Sequence, residues 1–138
     1  MSYDLMVFDA LAAPLEREAF MAWYRAQTGW SDGHSYDDAA LTTAELCNWY
    51  RAMLAKFPAM NGPDAPDRSA WQEDSPLWDD PHFTDYSIGR QVIYCAFAPS
   101  VADNARKEAM RRASQHGVGL FDVSEPDGMI FFPDGLTL

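Results

Sequence analysis

The chain has 138 residues, 48% of them hydrophobic and 14% aromatic, which suits one domain that buries a core without disulfide or metal staples and excludes an intrinsically disordered chain. Ten Lys and Arg stand against 21 Asp and Glu, a formal net charge of −11, and that balance opposes binding to nucleic-acid phosphates or anionic lipid and favours a basic partner. Nowhere do apolar residues run uninterrupted for the roughly 18 positions that a membrane helix needs.

The stretch Met1-Ser2-Tyr3-Asp4 carries no basic segment and meets an acid before any long apolar run, so no secretion signal is expected. Cys47 falls in a helical pattern and Cys95 in a strand pattern, each read as a small buried hydrophobe rather than half of a disulfide. Both features lead to the expectation of a reducing, cytoplasmic setting.

Residues 3–9 alternate and then run apolar through Leu5, Met6, Val7 and Phe8, the pattern of a buried first strand. Pro14 suits the first turn of a helix over about 14–28, where Phe20, Trp23, Tyr24 and Gln27 follow the i, i+3, i+4, i+7 spacing and Glu16 and Glu18 lie near the positive end of the dipole. Residues 30–41 lack periodicity and read as a loop. Thr42 and Glu45 then form a capping-box pair ahead of Leu46, Trp49, Tyr50, Met53, Leu54 and Phe57, which predicts a helix over 42–57 that Pro58 stops. Trp49 is expected in the core.

About 58–86 is a long loop rich in Pro and Asp. Its five prolines at 58, 63, 66, 76 and 81 rule out a regular helix or central strand throughout, while Trp71 and Trp78 argue that part of it packs down. Ser87 to Ala98 predicts a strand or a strand pair, with Gly89-Arg90 as turn or bulge. Ser100 and Asp103 open a third helix over about 100–116, which His116-Gly117 ends. On it Ala102, Ala105, Ala109 and Ala113 should face the sheet and Arg106, Lys107, Arg111 and Arg112 the solvent. Residues 118–123 and 128–132 are two short strands joined by the turn Ser124-Glu125-Pro126-Asp127. The order β-α-α-β(β)-α-β-β predicts a single α+β domain over 1–138, a mainly antiparallel sheet with about three helices packed largely on one face.

No established catalytic spacing is present. His34, His82 and His116 stand in no metal-ligand motif, although His34 has Asp37 and Asp38 nearby and His82 has Asp79, Asp80 and Asp85. No Gly-x-Ser-x-Gly elbow or phosphate-binding glycine loop occurs, and Gly117-Val118-Gly119 lies where a helix passes into a strand, the reverse of a dinucleotide-binding turn. The reading is therefore no catalytic residue, no metal and no cofactor.

What stands out is acid interleaved with large aromatics in the two loops. Asp32, Asp37 and Asp38 occupy the first; Trp71, Glu73, Asp74, Trp78, Asp79 and Asp80 occupy the second, where Arg68 is the only Lys or Arg between Gly62 and Gly89. Those nine residues form the candidate partner-binding set, because acids steer a basic partner and aromatics anchor it. The plainer reading is that the tryptophans pin the loops to the core while the acids face water. A competing functional class is a small-molecule-binding or metal-dependent enzyme that uses His and Asp of the loops.

The segments Tyr3-Asp-Leu-Met-Val-Phe-Asp9, Thr84-Asp-Tyr-Ser-Ile-Gly89 and His116-Gly-Val-Gly-Leu-Phe-Asp-Val-Ser124 resemble a group of small acidic bacterial proteins. Some proteins of this size and texture are similar to immunity proteins, which neutralise a cognate toxin of contact-dependent or type VI systems. The resemblance implies a toxin-binding role against a basic toxin domain, and it carries no active-site residues with it.

Overall fold

The computed structural model describes residues 1–31 and 33–138. Along them run strand β1 (Tyr3–Phe8), helix α1 (Arg17–Gln27), helix α2 (Ala44–Leu54), strands β2 (Asp85–Ile88) and β3 (Val92–Phe97), helix α3 (Ala102–His116), and strands β4 (Gly119–Phe121) and β5 (Ile130–Phe131). The strands form one sheet in the order β2-β3-β1-β4-β5, every neighbouring pair antiparallel. This is an α+β fold, and the region 87–98 resolves into the second of the two expected options, a hairpin whose turn falls at 89–91.

Alternation along β1, the central strand, explains the layering. Leu5 and Val7 point to one face, where Ile93, Cys95 and Phe97 of β3 join Leu46, Trp49, Tyr50 and Met53 of α2 and Ala105, Ala109 and Ala113 of α3. Met6 and Phe8 point to the other, with Val92, Phe121, Ile130 and Phe132, and there α1 closes the layer. The Phe20 ring of α1 lies 4.9 Å from Phe8 and 5.6 Å from Phe121, edge-on to both, and Tyr24 meets Phe121 at 5.0 Å. Packing largely on one face thus holds for α2 and α3, and α1 sits alone on the opposite face. A strand buried on both faces demands a second layer, since burying each large side chain contributes about 1.5–3 kcal/mol.

Caps differ from the expectation in three places. Glu16, not Pro14, begins α1, its carboxylate accepting from the amides of Glu18 and Ala19. Thr43 rather than Thr42 caps α2 by accepting from Leu46 N–H, while Thr42 Oγ1 donates to the Arg90 carbonyl. Ser100 makes no cap for α3, because Pro99 starts a 3-10 turn over Pro99–Val101 that feeds the helix directly. At the other end Gly117 takes the left-handed conformation (φ 68°) that ends α3 as anticipated. Gly119 serves a different need, since a Cβ there would lie 2.2 Å from the Phe8 ring.

Both outer edges of the sheet are covered by the chain itself. Beside β2, Thr84 N–H donates to the Pro58 carbonyl, Met60 N–H to the Thr84 carbonyl and Ile88 N–H to the Tyr36 carbonyl. Beside β5, Ile130 and Leu138 exchange backbone hydrogen bonds and Phe132 N–H donates to Leu136. Addition of a partner strand is therefore blocked at both ends.

Candidate functional site

The long loop between α2 and β2 is an ordered arm with its own small cluster. Two 3-10 turns, Arg68–Ala70 and Pro76–Asp79, are capped by Asp67 and Ser75. Trp71 meets Trp78 edge-on at 5.0 Å and Phe83 at 5.6 Å. The Arg68 guanidinium lies 5.6 Å from the Trp71 ring centre and 5.5 Å from that of Phe83, and it donates to the Met60 carbonyl. Two tyrosines pin the arm to the body: Tyr50 donates to Asp64 Oδ2 at 3.0 Å and Tyr86 to the Phe57 carbonyl at 2.7 Å. Burial, and for Tyr50 the Asp64 carboxylate next to it, pushes both phenols well above their ordinary value, so both remain neutral donors.

This cluster forms one wall of a groove of about 560 Å³ that runs to the outer end of β3 at Ala96–Ala98. Met1, Met60, Leu77 and Trp78, four of the large hydrophobic side chains that are exposed among the described residues, all line it. Asp79, Asp80 and Asp85 set its charge against the single guanidinium of Arg68. An exposed apolar patch with a polar rim is the usual form of an interaction site.

Of the nine expected residues, Trp71, Trp78, Asp79 and Asp80 come together in this groove. Glu73 and Asp74 are exposed on the arm between its two 3-10 turns. Asp80 does more than face solvent: its Oδ1 accepts from the backbone N–H of His82 and meets His82 Nδ1 at 2.8 Å, and these contacts hold its carboxyl below the usual range. Asp37 and Asp38 do not line the groove. Asp38 caps the turn Ala39–Leu41 through Ala40 N–H, and Asp37 packs against Gly62, where a Cβ would approach within 2.7 Å and φ is 80°. Asp32 lies outside the described residues. Met60 and Leu77 escaped the sequence reading, although an apolar side chain in a Pro/Asp-rich loop with no periodic partner is itself a signal of exposure.

A second polar centre lies between α2 and α3. Glu108 is buried, and its two oxygens receive Lys56 at 3.4 Å, Arg111 at 2.8 and 3.0 Å and Arg112 at 2.9 Å. The basic face of α3, expected to be simply solvated, is thus partly an ion-pair network. Arg106 likewise pairs with buried Asp122, which also accepts from Tyr3 Oη at 2.6 Å. Burial pushes the Glu108 carboxyl up, but the three cations outweigh it and leave the group below its ordinary value of 4.5. A carboxylate with a depressed folded value stabilises the protein above the unfolded value, and that stabilisation is lost as pH falls through the folded one. Glu108→Gln is therefore expected to cost about 1–2 kcal/mol at pH 7. The gap to wild type should narrow in acid below about pH 4.5. Urea titrations at pH 7 and pH 3.5 check this, and a gap that does not narrow contradicts the assignment.

Among the described residues no group of three or more His, Cys, Asp or Glu is gathered closely enough to hold a metal ion. His34 Nδ1 instead lies 2.7 Å from the Ser35 carbonyl. Cys95 is fully buried in β3, which pushes its thiol up and away from thiolate reactivity. No helix among the described residues is long and apolar enough to cross a membrane. Compared with known proteins, the chain matches no family model, and neither a curated protein nor a solved structure gives a significant match.

Proposed function

We propose that this protein works by binding a basic protein partner through the 60–85 arm, and that the partner is a toxin which it neutralises as immunity proteins do. The observation that carries the reading is the convergence of Met60, Leu77 and Trp78 with Asp79 and Asp85 on one groove. Apolar anchors give a complex its lifetime, and surrounding carboxylates give a cationic partner its approach rate. Covered sheet edges support side-chain recognition over strand addition.

Steering is best tested on acids that do nothing else. Glu73, Asp74 and Asp79 are exposed and make no side-chain hydrogen bond or ion pair with the described residues, whereas Asp80 holds the turn at His82. The variant Glu73→Gln/Asp74→Asn/Asp79→Asn should associate about 3- to 30-fold more slowly with a cognate basic toxin domain, with a shallower salt dependence and a nearly unchanged dissociation rate. Stopped-flow or surface-plasmon kinetics at two ionic strengths measure this. An unchanged association rate removes these acids from the site, and failure to form any complex with that toxin removes the immunity reading.

A further inference from the structure

Beyond the partner groove, three of the chain's ten basic side chains, Lys56, Lys107 and Arg111, line one cleft that, among the described residues, only two of its twenty-one acids, Glu108 and Asp80, share. Elsewhere the chain is overwhelmingly acidic. The cleft has a volume of about 750 Å³, within the range of small-molecule sites, and is walled by Phe57 and Pro58 after α2, by His82, and by Asn104, Lys107, Glu108 and Arg111 of α3.

Both carboxylates are already occupied. Glu108 takes four hydrogen bonds from Lys56, Arg111 and Arg112, which fixes the lysine and Arg111 at the cleft wall from below. Asp80 is turned onto His82 Nδ1 at 2.8 Å, which orients the ring and leaves Nε2 with no hydrogen bond to the described residues. Lys107 and the Asn104 amide likewise have no side-chain partner among the described residues. Unused donors on Lys107 and Asn104 and an excess of one positive charge form a receptor for an anion. A phosphate monoester offers three acceptor oxygens to Lys107, Asn104 and Arg111, one more than a monocarboxylate has.

We propose that this cleft binds a small phosphate monoester, with Lys107, Arg111 and Asn104 as its principal donors and Ala55 and Pro58 as the apolar wall for the organic part. The site is distinct from the partner groove, from which the 79–82 turn separates it, so either reading can fail alone.

The test is calorimetric titration of the whole chain at low ionic strength with phenyl phosphate, inorganic phosphate and acetate as probes. Saturable binding of phenyl phosphate, weaker binding of inorganic phosphate and negligible binding of acetate are expected. Lys107→Gln should weaken phenyl phosphate about tenfold or more, the scale of one charge-assisted hydrogen bond. Arg25→Gln on the exposed end of α1 removes the same charge from the opposite face and should change binding less than twofold. Circular dichroism of both variants establishes that they are folded, and Lys107 is exposed and has no side-chain partner among the described residues, so its replacement leaves the Glu108 network intact. No saturable phosphate binding by the wild type, equal loss in the two variants, or acetate bound as tightly as phenyl phosphate each overturns the proposal.

Discussion

Trp49→Ala is expected to lower the unfolding free energy by about 3–5 kcal/mol, the cost of deleting a buried tryptophan and leaving the cavity partly unfilled. Trp49 is completely inaccessible, and its indole N–H donates to the Ala109 carbonyl at 3.1 Å, so one side chain both fills the space between α2 and α3 and ties the two helices together. Alanines at 105, 109 and 113 bring α3 close to the sheet, and these short side chains cannot extend to fill the hole. Trp49→Phe separates the contributions: it keeps most of the volume and loses the hydrogen bond, for an expected cost of about 1–2 kcal/mol. Urea denaturation with a shared m-value measures both. A loss below about 1 kcal/mol for the alanine variant would show that α2 is not part of the cooperative core. Because whole domains have only about 5–15 kcal/mol in hand, the alanine variant should also melt on the order of 10–20 °C lower.

The elements that declared themselves in the sequence are those whose burial is one-sided and periodic. The stripe Leu46-Trp49-Tyr50-Met53 reads as a helix because every fourth or third residue must meet the same sheet, and Gly117 reads as a stop because few other residues accept its φ of 68°. The position of α1 was also encoded, though differently. An unbroken run of Leu5, Met6, Val7 and Phe8 implies cover on both faces, and α1 is the only helix left to supply it once α2 and α3 occupy the first. Thr42 and Thr43 are adjacent hydroxyls that local sequence cannot rank; the tie is broken by Arg90, 48 positions away, which takes up the Thr42 side chain.

The groove was half legible for a similar reason. Tryptophans in a proline-rich segment must either pack or be presented, and Trp71 and Trp78 do one each. Which carboxylates are engaged was not legible, because an Asx turn at Asp80 and a cap at Asp38 depend on backbone geometry two residues ahead. The cationic cleft was hidden altogether. Lys56, His82, Lys107 and Arg111 belong to three separate segments, and only the packing of α2 on α3 and the fold of the arm bring them together.

Trp78→Ala should separate binding from folding most sharply. The ring is 48% exposed, yet it is not loose: its indole N–H donates to the Gln72 carbonyl at 2.8 Å, and its edge rests against Trp71. A large side chain held rigidly at the surface loses little freedom on binding, which is the condition that makes an aromatic an interface anchor. Removal is expected to cost about 2–4 kcal/mol of binding free energy, roughly 30- to 1,000-fold in Kd, almost all of it as faster dissociation. Folding should suffer by no more than about 1 kcal/mol, since little buried area is lost. Trp71→Ala supplies the contrast. That ring is half-buried against Trp78, Phe83 and Arg68, so its loss should loosen the whole arm and reduce stability and binding together. Dissociation kinetics and thermal unfolding measured on the two variants side by side resolve the roles. If Trp78→Ala lowers stability as much as Trp71→Ala while leaving the dissociation rate of the complex unchanged, the exposed ring is a structural pin, and the groove it lines is not the contact surface.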